Sequence, residues 1–224
     1  MRRRLFLLAA GLLAACAPVA PPQTVAPPAA SAPSSADEQA FVAAAHPLAV
    51  EAGLDVLRRG GNAVDAAVAV QAMLGLVEPQ SSGLGGGAFM VYYDAATRGV
   101  TVYDGRETAP AGATPDMFLD ADGNPLPFRT AVLSGRATGV PGAVAMLALA
   151  QHDRGKLAWR DLFGSAERTA REGFTVTARL ERFVHGPYPQ ASAPDVVRYF
   201  SDGHGDKVRA GDTLRNPAYA AFVQ

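Results

Sequence analysis

The stretch from Ala63 to Val77 is helix-permissive and apolar nearly all the way round. Val64, Val68, Val70, Met73, Leu74 and Val77 are relieved only by Asp65 and Gln71. A helix with an apolar circumference has no face to turn toward water, so it must be buried between layers. Any fold open to this chain therefore has to pack something on both sides of that helix. Asn62 is suited to cap the first turn, and the helix must end before Pro79. Upstream, Pro47 to Arg59 reads as a second helix, with Gly60-Gly61 as its stop.

Downstream, Ser81-Ser-Gly-Leu-Gly-Gly-Gly87 breaks the chain. Ala88 to Tyr93 and Gly99 to Asp104 then read as two strands joined by a turn through Asp94 and Thr97. Phe89, Val91 and Tyr93 alternate with Met90 and Tyr92, so both faces of the first strand carry large side chains. That pattern predicts a sheet covered on both sides. Residues 105–139 are loop-rich, with a turn at Asp120-Ala-Asp-Gly-Asn-Pro125. Pro141 fits the first position of a helix running to Arg154, with Gly155 just past its end. Trp159, Leu162, Phe163, Ala166 and Ala170 repeat at helical spacing up to Gly173. Shorter helices are expected over Ala178–Val184 and after Pro217. The last runs into Gln224 without a cap, so the chain reads as cut rather than finished.

Composition narrows the function classes. With 49% hydrophobic residues and a net charge of −1, the body is not a disordered segment. Twenty Lys+Arg against 21 Asp+Glu leave no cationic excess for phosphates, which excludes nucleic acid as the expected partner. One cysteine excludes a disulfide framework, and no apolar run approaches the roughly 20 residues of a membrane span.

That cysteine has a specific address. Met1-Arg-Arg-Arg4 is a basic start, Leu5 to Leu13 an apolar run, and Leu13-Ala-Ala-Cys16 resembles the lipobox of bacterial lipoproteins. The reading is a signal peptide over residues 1–15, lipidation of Cys16, and a Pro/Ala-rich tether over residues 16–40. The alternative is an ordinary signal peptide with a cysteine near its cleavage site. Residues 17–36 contain six prolines and no charged or aromatic side chain, too little to bury and fold. Loss of the three signal arginines takes the net charge from −1 to −4. The expected location is periplasmic and membrane-anchored, with the body at residues 41–224 held off the surface by the tether.

Few residues suggest chemistry by themselves. His46, His152, His185 and His204 show no metal-ligand spacing. Asp202-Gly-His204-Gly-Asp206 reads as a solvated turn, and Asp120 to Asn124 departs from a calcium loop in the position of its glycine. No metal and no cofactor is expected. The glycines at 83–87 follow a helix and precede a strand, the reverse of the order that aims a helix dipole at phosphate. They read as close packing and positive φ at a tight turn. Arg106, in Tyr103-Asp-Gly-Arg-Glu-Thr-Ala-Pro110, lies just past a strand. Its guanidinium is either a carboxylate clamp or a structural ion pair with Glu107 or Asp104.

Several blocks then occur in order: His46-Pro-Leu-Ala, Gly60-Gly-Asn-Ala-Val-Asp-Ala-Ala67, Glu78-Pro79, Ser82-Gly-Leu-Gly-Gly-Gly87, Arg106-Glu107 with Ala109-Pro110, Gly139-Val-Pro-Gly142 and Gly211-Asp-Thr-Leu214. Together they resemble the N-terminal part of the large subunit of gamma-glutamyltranspeptidase (glutathione hydrolase), across roughly residues 41–224. The resemblance implies an α+β fold of the N-terminal-nucleophile hydrolase type, a four-layer αββα sandwich of which only the N-terminal portion is present. It implies a precursor that cuts itself, freeing a threonine that attacks γ-glutamyl amides such as glutathione and forms an acyl-enzyme resolved by water or by an acceptor amino acid or dipeptide. Arg106 is similar to the arginine that grips the α-carboxylate of the γ-glutamyl group, with Glu107 orienting it.

By the same resemblance the nucleophilic threonine lies beyond residue 224, in a small subunit that this chain lacks. The chain alone is therefore expected to be inactive and poorly soluble. The competing expectation is a non-catalytic lipoprotein that keeps the large-subunit scaffold as a binding module. An acylase of the same superfamily fits Arg106 less well, since an α-carboxylate clamp suits a glutamyl donor.

Overall fold

The computed structural model describes residues 40–202 and 204–224. The signal peptide, the lipidated Cys16 and the tether expected before residue 40 lie outside the described residues.

Helix α1 spans Pro47–Arg58 and α2 spans Ala63–Val77. Asn62 caps α2 as expected, its side chain accepting from the amides of Val64 and Asp65, while the Asp65 carboxylate accepts from the Asn62 amide. This reciprocal capping satisfies orphan donors of the first turn. Val64, Val68, Met73, Leu76 and Val77 are all at most 2% exposed, as the apolar circumference requires. Asp65 is not polar relief, as its spacing suggested, but fully buried.

The hairpin follows, β1 at Ala88–Asp94 and β2 at Gly99–Gly105, antiparallel with Val91 opposite Val102. Its inner face, with Met90, Tyr92 and Tyr103, joins the core. Its outer face is open: Phe89, Val91, Tyr93, Val100 and Val102 are each 59–70% exposed. The expectation of a sheet covered on both sides therefore holds for one face. Among the described residues the helical layer reaches the inner side alone.

After the loop-rich stretch, which contains the short helix α3 at Phe128–Val132, comes α4 at Ala143–Arg154. Pro141 is not its first residue. The Gly86 carbonyl accepts from the amides of both Gly142 and Ala143, so the helix begins where that oxygen caps it. Trp159 to Ala170 is not one helix either. A 3-10 turn at Trp159–Leu162 yields to α5 at Gly164–Glu172, which ends at Gly173 with φ of 103°. The strand pair β3 (Phe174–Thr175) and β4 (Thr213–Leu214) follows the same turn, separated by α6 at Ala178–Val184 and α7 at Pro194–Tyr199. Helix α8 spans Pro217–Val223, with Asn216 as its cap and Pro217 in its first turn.

Packing runs outward from α2, which lies against α1, α4 and α5, while α8 covers α5 and α4 backs the hairpin. The Tyr219 hydroxyl of α8 donates to the Ala72 carbonyl of α2 at 2.6 Å. The result is a helix-rich α+β arrangement with two two-stranded antiparallel sheets among the described residues. No helix among them is long and apolar enough to cross a membrane.

Candidate functional site

The glycine segment between α2 and β1 does its structural work by proximity. None of its glycines has positive φ, which corrects half of the sequence reading. The other half, close packing, holds: a Cβ on Gly87 would run into the Glu107 carboxylate and lie 2.9 Å from the Glu107 amide nitrogen. Gly139 also crowds Glu107, with 3.1 Å from the Glu107 Cβ to the position a side chain would need. The segment carrying Gly139 is tied to the one carrying Glu107 by a bridge between Thr108 and Val140. Glu107 is thus caged between two glycine-bearing segments.

Arg106 stands at the end of β2. Its backbone amide donates to Asp104 Oδ1 at 2.9 Å, and its Nη1 donates to Glu107 Oε2 at 2.7 Å. Both ion-pair partners named from sequence are therefore engaged, Glu107 through its side chain and Asp104 through the backbone. The Arg106 side chain is nevertheless 67% exposed, while Glu107 is about half as open. One nitrogen of the fork is fixed and the rest faces outward, an arrangement able to take a carboxylate in bidentate fashion.

Glu107 lines a polar cleft of about 400 Å³ shared with Gln71, Gln80, Ser81, Ser82 and Gly87. The serine hydroxyls accept hydrogen bonds: Ser82 from Gln71 Nε2 and Ser81 from Arg179 Nη2, both at 2.9 Å. As acceptors they tie the cleft segment to Gln71 of α2 and Arg179 of α6.

Behind the cleft sits an ion pair that sequence reading missed. Glu78, 2% exposed, accepts from Arg179 Nε at 2.7 Å and from Gln80 Nε2 at 2.6 Å. No local spacing links residues 78 and 179; only folding brings α6 to the end of α2. His46 is buried and caps α1, its Nδ1 accepting from the Leu48 amide at 3.2 Å. Burial lowers its pKa, and the negative Glu78 opposes the shift.

The remaining sequence candidates lie apart from this site. His152 is exposed beside Asp153, and His185 Nε2 meets the Val208 carbonyl at 3.1 Å. Asp202 Oδ1 accepts from the amides of His204 and Asp206, and these bonds, the His204 amide first, hold its pKa down. Asp120 Oδ1 likewise accepts from Asp122 and Asn124. Both loops spend carboxylate oxygens on their own backbone, as turns do.

Residues 49–224 match the family described as gamma-glutamyltranspeptidase. The chain belongs to the gamma-glutamyltranspeptidase family. It is 43% identical over 174 residues to the glutathione hydrolase proenzyme of Bacillus subtilis, covering 78% of this chain and 30% of that protein. Among solved structures it resembles the gamma-glutamyltranspeptidase of Helicobacter pylori, with a TM-score of 0.75, 31% identity, and coverage of 85% of this chain and 54% of that one. The enzyme from Pseudomonas nitroreducens, solved with L-DON, gives a TM-score of 0.75 at 29% identity, covering 83% and 53%. The chain thus spans about a third of the length of the curated relatives it matches. With family membership the α+β fold is of the N-terminal-nucleophile hydrolase type, as the ordered sequence blocks implied.

Proposed function

We propose that this chain forms the N-terminal part of a γ-glutamyl transferase and glutathione hydrolase, and that Arg106 binds the α-carboxylate of the γ-glutamyl group. One observation carries the reading: an exposed guanidinium held at one nitrogen by Glu107, which also walls a polar cleft. Orienting the fork in advance lowers the conformational cost of binding, so Glu107 acts as its positioning residue. In this reading the scissile amide is attacked by a threonine of a small subunit beyond residue 224. The acyl group passes to water or to an acceptor amino acid or dipeptide. At the other end, Cys16 carries lipid and holds the protein at a membrane facing the periplasm.

The test is glutathione binding to the 224-residue chain by calorimetry, together with its Arg106→Ala and Arg106→Lys variants. Loss of charge-assisted bonds should weaken affinity by roughly 10- to 100-fold in the alanine variant. Lysine should recover only part, since a point charge cannot fork. Equal affinity in all three proteins would remove Arg106 from the site. γ-Glutamyl anilide turnover by this chain alone would refute the placement of the nucleophile in a separate subunit.

A further inference from the structure

Pro79 to Ser82, which line the cleft, follow directly on the buried Glu78. Pro79 and Gln80 also line a second, apolar pocket of about 530 Å³, open to solvent and bounded by Leu180, Phe183 and Phe200. Where Pro79 and Gln80 line that open pocket they have fewer packing contacts than a core side chain. The Gln80 Oε1 atom is buried without a hydrogen-bond partner. Polar ties hold the segment. The Glu78 carbonyl accepts from the amides of Ser81 and Ser82, and Gln71 of α2 reaches the Ser82 hydroxyl. Arg179 of α6 ties two points of it at once: one guanidinium joins Glu78 Oε2 at 2.7 Å and Ser81 Oγ at 2.9 Å.

We infer that Arg179 is a positioning residue for the γ-glutamyl site, bracing the Glu78–Ser82 segment so that the glycine segment presses Glu107, and with it Arg106, into the carboxylate-binding orientation. The inference rests on the reading of Arg106 given above. The path is continuous in contacts. Arg179 fixes Ser81; the Gly83 carbonyl accepts from Gly86; the Gly86 carbonyl caps α4; and Gly87 abuts the carboxylate that holds Arg106. Arg179 itself touches neither substrate nor any reacting atom. A lysine at 179 would satisfy the buried charge of Glu78 but could not also span to Ser81 with a second donor in a fixed plane.

Arg179→Lys and Ser81→Ala test the brace from its two ends, each leaving Glu78 beside a cation. Both variants of the full 224-residue chain should keep a cooperative melt. Amide exchange at Gly86 should quicken about tenfold, the NMR order parameter of the Arg106 Nε–H bond should fall as the guanidinium loosens, and glutathione affinity should fall about tenfold. Unchanged exchange at Gly86 and an unchanged order parameter at Arg106 in both variants overturn the brace. Quickened exchange with unchanged glutathione affinity overturns its bearing on binding. If wild-type affinity is absent or insensitive to Arg106→Ala, the functional reading fails instead, and Gly86 exchange with the Arg106 order parameter decides whether Arg179 sets the Arg106 orientation.

Discussion

Asp65 accepts four bonds from a position with no exposure: the Asn62 amide at 3.0 Å, the Lys156 amide at 2.9 Å, the Leu157 amide at 3.4 Å and Gln151 Nε2 at 3.3 Å. One carboxylate thereby joins the start of α2 to the loop after α4. Asp65→Ala would strand buried amides, and we expect a loss of about 3–5 kcal/mol in urea unfolding; a loss under about 1 kcal/mol would show that water replaces the carboxylate. His46 gives a pH-dependent counterpart. Its folded pKa lies below the ordinary value of 6.5 because it is buried, despite Glu78 nearby. The unfolded chain therefore takes up the proton first, and stability should decline as the pH falls below about 6.5. His46→Asn retains a good cap without a titrating group, so the decline between pH 7.5 and 5.5 should shrink in that variant. An unaltered decline would assign the acid sensitivity to other groups.

At the scale of elements, chain reversals divide into those that need only conformational freedom and those that also need space. Gly60 ends α1 at φ of 89° with nothing within 4 Å of a would-be side chain. Gly173 ends α5 at φ of 103°, where a Cβ would meet Thr213 Cγ2 at 2.7 Å and Arg215 Cγ at 3.0 Å. Gly60→Ala should cost about 1 kcal/mol, the strain alone. Gly173→Ala should cost about 2–4 kcal/mol, because the β3–β4 ladder must also shift. Equal losses by chemical denaturation would contradict this division. Sequence placed α2 correctly from its cap, Asn62; α6 and α8 form where short helices were expected, and the structure shows Thr177 and Asn216, which the sequence reading did not single out, capping them with their side chains. It placed Pro141 wrongly because α4 is capped by a distant carbonyl, that of Gly86. It merged the 3-10 turn at Trp159–Leu162 with α5 because apolar spacing is nearly shared by the two.

For the described unit as a whole, the outer hairpin face is the dominant surface feature. The directly opposed pair Val91–Val102 lies at its middle, flanked by Phe89, Tyr93 and Val100. A contiguous apolar face on a strand pair promotes association. The 224-residue chain should therefore self-associate as its concentration rises in sedimentation velocity. Val91→Thr with Val102→Thr should reduce that association while keeping strand propensity. A wild-type chain that stays monomeric across the range would show the face to be harmless.

What the sequence determined by itself was whatever depends on neighbours in the chain. The buried character of α2 follows from its circumference, its start from Asn62, and the ends of α1 and α5 from glycines able to take positive φ. Ordered blocks also carried the family and hence the fold type. Arg106 could be singled out from its place after a strand, and its two candidate partners were adjacent in sequence. Tertiary structure decided the rest. The Glu78–Arg179 pair joins residues that no periodicity connects, and the cage around Glu107 exists because Gly87 and Gly139 converge on it from separate segments. Asp65 looked like the solvent-facing residue of an apolar helix, yet it is buried because the loop after α4 delivers backbone donors to it. A charged group inside a protein is stable only where such donors converge, and convergence is a property of the fold rather than of any local stretch.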